Sequence, residues 1–134
     1  MTGFHYVNGE LHAEDVPLRR IAATVGTPFY CYSAHILQQR ALEFVRAFTG
    51  MDALVCFAVK SNCNPHLLKL LATYGLGADI VSGGELRQAL KAGIPAKKVI
   101  FSGVGKTAAE LSHALQAGIL QINVESAAEL HTLN

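Results

Sequence analysis

Lys60 is the residue of this sequence whose type and position best suit covalent chemistry. It directly follows the apolar run 54–59 and directly precedes the polar Ser61 and Asn62. An unbroken apolar run is typical of a strand buried on both faces of a parallel sheet. We expect an amine at the end of such a strand to be desolvated on one side, which favours its neutral, nucleophilic form. Position alone leaves open that Lys60 is a solvated lysine that ends a strand.

Two other kinds of chemistry are disfavoured by residue spacing. Residues 102–107 (SGVGKT) invite comparison with a phosphate-binding P-loop, but that motif requires glycine where Ile100 stands. A metal site is also not expected, because no histidine in a predicted helix has a second ligand at metal spacing. The helical histidines are His35, His66, His113 and His131, which we expect at surface or boundary positions.

Repeated strand and helix signals organise the second part of the chain. Strands predicted at 77–81, 98–101 and 120–124 each lead into a capping-box pattern, in which Ser or Thr is followed three residues later by Glu. A direct repeat relates residues 85–94 to residues 110–119. With the strand before Lys60, we count four strand–helix units, which fit either a (β/α)8 barrel or an open doubly wound sheet.

The size of the chain favours an incomplete barrel. A whole (β/α)8 barrel takes about 250 residues, whereas this chain has 134 and stops inside its fourth predicted helix. We therefore expect residues 34–134 to form the first half of an α/β barrel, a partial (β/α)8 fold. Residues 1–33 are expected to be a lead-in with a helix at 16–25 and an aromatic strand at 29–32.

Composition favours small-molecule chemistry over nucleic acid or membrane binding. Eleven basic and ten acidic residues give a net charge of +1 without a charged block, and 51% of residues are hydrophobic. No run reaches the length of a membrane helix, and the first residues lack the pattern of a signal peptide. The three cysteines form no paired motif, so we expect reduced thiols in a cytoplasmic protein.

Several motifs together resemble one enzyme family. Residues 57–62 (FAVKSN) resemble the Schiff-base motif of the fold-type III, alanine-racemase-like decarboxylases that depend on pyridoxal 5'-phosphate. Residues 77–86, 99–107 and 123–126 are similar to the diaminopimelate decarboxylases within that family. The resemblance begins near Tyr6, passes through residues 26–30, and covers essentially the whole chain.

The resemblance implies a cofactor site and a reaction. Lys60 would form the Schiff base with pyridoxal 5'-phosphate and later help to protonate the carbanion left by carbon dioxide. Asp79 would lie near the cofactor, where a carboxylate could pair with the imine or order water, although solvation of a strand end explains it as well. Glu85 is first a helix cap, and Gly83 and Gly84 are first parts of a turn.

The same resemblance implies parts that lie later in the chain. These are the groups that bind the phosphate and the pyridine nitrogen, a C-terminal β-domain that the lead-in strand would join, and a homodimer partner. The parent protein would then decarboxylate meso-2,6-diaminopimelate to L-lysine, and residues 1–134 alone would have little activity.

Three alternatives remain open from the sequence. A sister decarboxylase acting on ornithine, arginine or carboxynorspermidine would share the Schiff-base motif. A non-catalytic pyridoxal-phosphate carrier would use the same lysine without releasing carbon dioxide. A generic α/β scaffold would bind no cofactor at all.

Overall fold

The computed structural model describes residues 3–134 and places seven strands and six helices among them. The strands are β1 (Phe4–Val7), β2 (Glu10–Ala13), β3 (Val16–Pro17), β4 (Cys56–Ala58), β5 (Gly77–Ile80), β6 (Val99–Phe101) and β7 (Gln121–Ile122). The helices are α1 (Leu18–Val25), α2 (Ala34–Ala47), α3 (Pro65–Thr73), α4 (Gly83–Lys91), α5 (Ala108–Ala117) and α6 (Ala127–Leu133). Single 3-10 turns span Val59–Ser61 and Ala96–Lys98.

The second sheet is the half-barrel that the sequence predicts. Its four strands are parallel and lie in the order β4, β5, β6, β7, and each is followed by a helix. Consecutive parallel strands joined through helices are the repeating unit of a (β/α)8 barrel. The prediction of four such units is confirmed.

The lead-in differs from its prediction. Strands β1, β2 and β3 form an antiparallel sheet, and β1 turns into β2 through Asn8 and Gly9, both at positive φ. Asn-Gly is the preferred pair for such a two-residue turn, so the signal was present in the sequence and was missed. The helix predicted at 16–25 begins only at Leu18 because Val16–Pro17 pairs with β2.

The aromatic strand predicted at 29–32 is not formed. These residues are irregular, and Tyr30 and Tyr32 are 90% and 53% exposed. A β-strand requires a hydrogen-bonded neighbour, and none of the described strands pairs with this segment. The expectation that it joins a further β-domain stays a prediction.

The core lies between the parallel sheet and its helices. Alternate strand residues Ala78, Ile80, Val99 and Phe101 are fully buried on the helix side, where they form one cluster with helix residues that include Leu68 and Leu86. Side chains of a strand alternate between its two faces. The residues between them, including Asp79 and Ile100, therefore lie on the opposite face, the inner face of the half-barrel.

The first barrel strand is shorter and less buried than the run 54–59 predicts. Only Cys56–Ala58 is a strand, and Leu54 is 37% exposed. Among the described strands β4 has a neighbour on one side only, which is β5. Helix α2, beside it, leaves Phe44 59% exposed.

The three predicted helix caps are confirmed at their first residue. The side chains of Ser82, Thr107 and Ser126 each accept a hydrogen bond from the backbone N–H three residues later. Only the box of Thr107 and Glu110 is reciprocal. The glutamates that complete the other two patterns bind elsewhere, and their contacts shape the carboxyl end of the sheet.

Candidate active site

Lys60 lies where the sequence places it, immediately after β4, on the 3-10 turn Val59–Ser61. Val59 is fully buried and anchors the turn, and Ser61 Oγ donates a 2.7 Å hydrogen bond to the Ala58 carbonyl oxygen. The Lys60 side chain between these two is exposed, and within residues 3–134 its amine forms no hydrogen bond or ion pair. The described residues therefore do not desolvate Lys60 as the sequence predicts. They do leave its amine without a hydrogen-bond partner.

Asp79 lies on the inner face of the next strand. Its register partner in β4 is Ala58, which precedes Lys60 by two residues. Because its neighbours Ala78 and Ile80 are fully buried on the helix side, the half-buried Asp79 carboxylate faces the barrel interior. Its Oδ1 atom accepts a 2.5 Å hydrogen bond from Ser102 Oγ.

Ser102 and Asn123 extend this contact into a polar row along the inner face. Asn123 Nδ2 donates to Ser102 Oγ at 3.0 Å, and Gln121 Nε2 donates to Asn123 Oδ1 at 2.6 Å. Of these three residues only Ser102 contacts Asp79, and none of them was predicted from the sequence as a site residue. Strand alternation could have found them, since Asp79 pairs with Ile100 and Ile100 with Gln121, and Ser102 and Asn123 follow two residues further on the same face.

Cys56 shows that the charge of Asp79 reaches the inner face near β4. Burial raises the pKa of the Cys56 thiol, the negative charge of Asp79 raises it further, and the positive charge of Lys98 lowers it.

Gly77 lies beside this thiol, and a Cβ there would overlap the Lys98 carbonyl oxygen. Only glycine, which has no Cβ, lets β5 lie so close to the Lys98 carbonyl group.

Lys106 lies beneath the loop that follows β6. Its Nζ donates to the carbonyl oxygens of Gly103 and Asn123 at 2.6 and 2.7 Å, and to Glu129 Oε1 at 2.7 Å. An ammonium group has three donors, and all three are used. The Phe101 ring lies 5.6 Å away. Lys106 therefore serves the structure of the loop, and the P-loop interpretation stays rejected.

The comparison with known families decides what kind of domain this is. A family model described as the pyridoxal binding domain of pyridoxal-dependent decarboxylases matches residues 34–134. The chain belongs to this decarboxylase family. The matched domain is described as the one that binds pyridoxal, and Lys60 lies within it.

Relatives of this decarboxylase domain agree in sequence and fold. Diaminopimelate decarboxylase from Aquifex aeolicus is 53% identical over 129 residues, which cover 96% of this chain and 30% of the relative. A crystal structure from Aquifex aeolicus superposes with a TM-score of 0.92 at 51% identity, covering 98% of this chain and 32% of the other. Helicobacter pylori diaminopimelate decarboxylase complexed with L-lysine gives 0.83 at 46% identity, with coverage of 87% and 29%. The chain thus spans about a third of these proteins.

The residues of this decarboxylase domain fit a pyridoxal cofactor. A pyridoxal aldehyde requires an accessible primary amine. Lys60 offers one at the carboxyl end of β4, beside the row that begins at Asp79. Lys106 is at the same end of the sheet, but its side chain is fully buried and its donors are used. The structure therefore supports Lys60 over Lys106 as the residue that could hold the cofactor.

Glu85 and the neighbouring glycines serve the scaffold of the decarboxylase domain, as the sequence favours. Glu85 Oε2 accepts from the Val81 N–H at 2.8 Å and so fixes the turn into α4. The Gly83 N–H donates to Glu110 Oε1 at 2.8 Å, and a Cβ on Gly83 would lie 3.0 Å from Glu110 Cγ. A Cβ on Gly84 would meet its nearest atom, Ser82 Oγ, at 3.6 Å, an ordinary van der Waals contact.

Within residues 3–134 no group of three His, Cys, Asp or Glu side chains could hold a metal ion. His66 and His131 are exposed, and His35 and His113 are half-buried, all four within helices as predicted. No helix in this part of the chain is long and apolar enough to cross a membrane.

Proposed function

We propose that the protein carrying this chain decarboxylates meso-2,6-diaminopimelate to L-lysine with pyridoxal 5'-phosphate, and that Lys60 holds the cofactor. The observation that carries the proposal is the free, exposed amine of Lys60 at the carboxyl end of β4. In (β/α)8 barrels the active site lies at this end of the strands. The family match to a pyridoxal binding domain supports the same residue.

The roles of the described residues follow from their positions. Lys60 would hold the cofactor at its aldehyde carbon until the substrate amine replaces it. Its amine would then hold the proton that replaces the departing carboxylate at the substrate Cα. Asp79, the register partner of Ala58, would provide a negative charge for a cationic nitrogen on Lys60. When bound, pyridoxal phosphate supplies an electron sink for the pair of electrons left by the broken C–C bond.

The substrate assignment rests on the curated relatives. Several proteins that match almost the whole chain at 45% to 53% identity carry the name diaminopimelate decarboxylase. The Helicobacter pylori enzyme was solved with L-lysine, the product that the proposed reaction would release. Since the chain spans about a third of these relatives, we propose that the remaining cofactor contacts, a C-terminal β-domain and a homodimer partner come from further sequence.

Labelling tests the cofactor assignment directly. The intact protein is incubated with pyridoxal 5'-phosphate, reduced with borohydride, digested and mapped by mass spectrometry. We expect the label on Lys60 and none on Lys106, and we expect the Lys60→Arg variant to lose it. Exposed Lys69→Arg is the matched control and should keep full labelling at Lys60. Label at other lysines with Lys60 unmodified would overturn the assignment.

Product analysis tests the substrate. Carbon dioxide release is measured with meso-diaminopimelate, ornithine and arginine, and the amine product is identified. We expect L-lysine from diaminopimelate and at least about tenfold lower kcat/KM for the other two, equivalent to about 1.4 kcal/mol. Preference for ornithine or arginine would assign a sister decarboxylase, and cofactor binding without carbon dioxide would assign a carrier.

Two further proposals concern the location of the protein and the activity of residues 1–134 alone. The cysteines Cys31, Cys56 and Cys63 are free thiols in the structure, and we propose a cytoplasmic location on the basis of this cysteine use. Residues 1–134 alone are expected to release little carbon dioxide, since they span about a third of the curated relatives. Fractionation of the source cells and an assay of the isolated residues test these two points.

A further inference from the structure

The polar row on the inner face has a direction that its hydrogen bonds define. The Asn123 amide donates from Nδ2 to Ser102 Oγ, and its Oδ1 is occupied by Gln121. A serine hydroxyl has one proton to donate. Since Ser102 Oγ accepts from Asn123, its own proton is directed to Asp79 Oδ1.

The row is held in place from below by the buried Lys106. Lys106 Nζ binds the backbone oxygen of Asn123, so the residue that donates to Ser102 is fixed by a buried cation. The backbone N–H groups of Ser102 and Asn123 are fixed as well, by the carbonyl oxygens of Ile80 and Phe101 at 2.8 Å each. The donors toward Asp79 are therefore preorganised, and orienting the carboxylate costs little further conformational entropy.

The other oxygen of Asp79 is left available. Oδ1 is taken by Ser102, and in the described part of the chain Oδ2 has no hydrogen-bond partner. Of the charged or titratable groups nearby, Cys56 on β4 is affected by the charges of Asp79 and Lys98, and Lys60 follows Ala58, the register partner of Asp79, by two residues. Of these, Lys60 belongs to the proposed cofactor site.

We propose that Ser102 and Asn123 are positioning residues that hold the Asp79 carboxylate by Oδ1 and so present Oδ2 to the cationic nitrogen formed on Lys60. The proposal rests on the proposed function of Lys60 and extends it to two residues on the next two strands. Asparagine cannot pass a proton onward under ordinary conditions, so the row orients a charge and is not a proton path.

Electrostatics gives the proposal a spectroscopic readout. A carboxylate within about 4–6 Å of a cation favours the protonated cation by about 1–3 pH units. The visible absorption band of the cofactor-bound protein changes when the nitrogen on Lys60 loses its proton. We therefore expect Asp79→Asn to move the pH midpoint of that band downward by about 1 unit or more. Ser102→Ala should move it in the same direction by a smaller amount.

The variants to compare are Ser102→Ala, Ser102→Thr, Asp79→Asn and the double Asp79→Asn/Ser102→Ala, all in the intact protein loaded with pyridoxal 5'-phosphate. Ser102→Thr keeps the hydroxyl and should restore the midpoint. The double variant should behave like Asp79→Asn alone, because Ser102 acts only through Asp79. Ser112→Ala, an exposed serine on α5, is the matched control and should leave the midpoint unchanged.

The outcomes separate this inference from the proposed function. If Lys60 carries the cofactor but Ser102→Ala leaves the midpoint unchanged, or shifts it equally with and without Asp79, the positioning role is wrong. If no lysine-bound cofactor band forms in the wild-type protein, the function of Lys60 itself fails. Circular dichroism and the cofactor dissociation constant, measured for each variant, distinguish a local change from misfolding.

Discussion

Lys106 Nζ and Glu129 Oε1 lie 2.7 Å apart, and their side chains are only 0% and 7% exposed. Two charges removed from water in this way are costly unless each is paired and hydrogen-bonded. Here the remaining donors of Lys106 reach two backbone oxygens, which belong to the loop after β6 and to the residue after β7. The pair therefore joins two strand ends to the first turn of α6.

Breaking this pair should destabilise the protein strongly. In Glu129→Leu the Lys106 ammonium loses its counter-charge while still buried, and such a loss costs about 3–5 kcal/mol. Urea unfolding of the intact protein, followed by circular dichroism, measures the change. Glu125→Leu, an exposed glutamate before the same helix, is the control and should change stability by less than about 0.5 kcal/mol. The double variant Lys106→Met/Glu129→Leu should recover part of the lost free energy of unfolding. A cost below about 1 kcal/mol for Glu129→Leu alone would contradict the role of the pair.

Glu110 should give stability that depends on pH. The pKa of its carboxyl is lowered from the ordinary 4.5, first by the Gly83 N–H and then by the backbone and side chain of Thr107. A lowered folded-state pKa adds stability above pH 4.5, and this stability is lost as the pH falls through the folded value. Glu110→Gln should therefore destabilise the protein at pH 7 by about 1 kcal/mol, the usual value of a cap.

Chemical unfolding at several pH values tests the Glu110 prediction. The difference between wild type and Glu110→Gln should shrink as the pH falls below about 4, because the wild-type carboxyl is then protonated as well. Glu43→Gln is the control, since the ion pair of Glu43 with Arg40 is exposed and worth little. A difference that is constant from pH 7 to pH 3 would show that the charge of Glu110 is not what stabilises the two helix starts.

Cys56 should react slowly with alkylating reagents. Burial and the Asp79 charge raise the pKa of its thiol above the ordinary 9.0, so the reactive thiolate is scarce at neutral pH. Iodoacetamide at pH 7.5 should modify the exposed Cys63 first. Asp79→Asn should accelerate labelling of Cys56 relative to Cys63, because one cause of the raised pKa is removed. Peptide mapping over time measures both rates, and equal rates for the two cysteines would contradict the prediction.

Gly77→Ala should separate β5 from its neighbours. The added methyl group would overlap the Lys98 carbonyl oxygen and lie 2.7 Å from Cys56 Sγ. Overpacking of this kind typically costs about 1–3 kcal/mol. Gly84→Ala is the matched control on α4, where the nearest atom is 3.6 Å from the new Cβ, and it should be neutral or stabilising by up to about 1 kcal/mol. Thermal unfolding of both variants tests the difference, and equal stability would argue against a close strand approach at Gly77.

The parts of the fold that the sequence predicts are those with local signals. The apolar strands and the caps at Ser82, Thr107 and Ser126 each need only a few neighbouring residues, and they give the four strand–helix units. Lys60 is found in the same way, because its place depends on the strand directly before it. The aromatic segment 29–32 is irregular among the described residues, because propensity does not supply the pairing partner that a strand needs.

The candidate site was predicted less completely, since its contacts join distant parts of the chain. Ser102 reaches Asp79 across 23 residues, and Lys106 reaches Glu129 across 23. These contacts depend on the register of parallel strands, which a local pattern does not supply. Glu129 shows the effect most clearly, because its position fits a capping box while its carboxylate binds Lys106 instead.

Four contacts at the carboxyl end of the sheet each join a loop to the strand–helix unit that follows it in the sequence. This arrangement affects the order in which the fold forms. Asp79 is held by Ser102, Ser102 by Asn123, Gly83 by Glu110 and Lys106 by Glu129, across 21 to 27 residues. Each loop therefore lacks its contact until the next strand–helix unit has been synthesised. This takes roughly one to five seconds at about 5–20 residues per second. The half-barrel should therefore gain its order cooperatively from its first strand toward its last, with the newest loop always the least ordered.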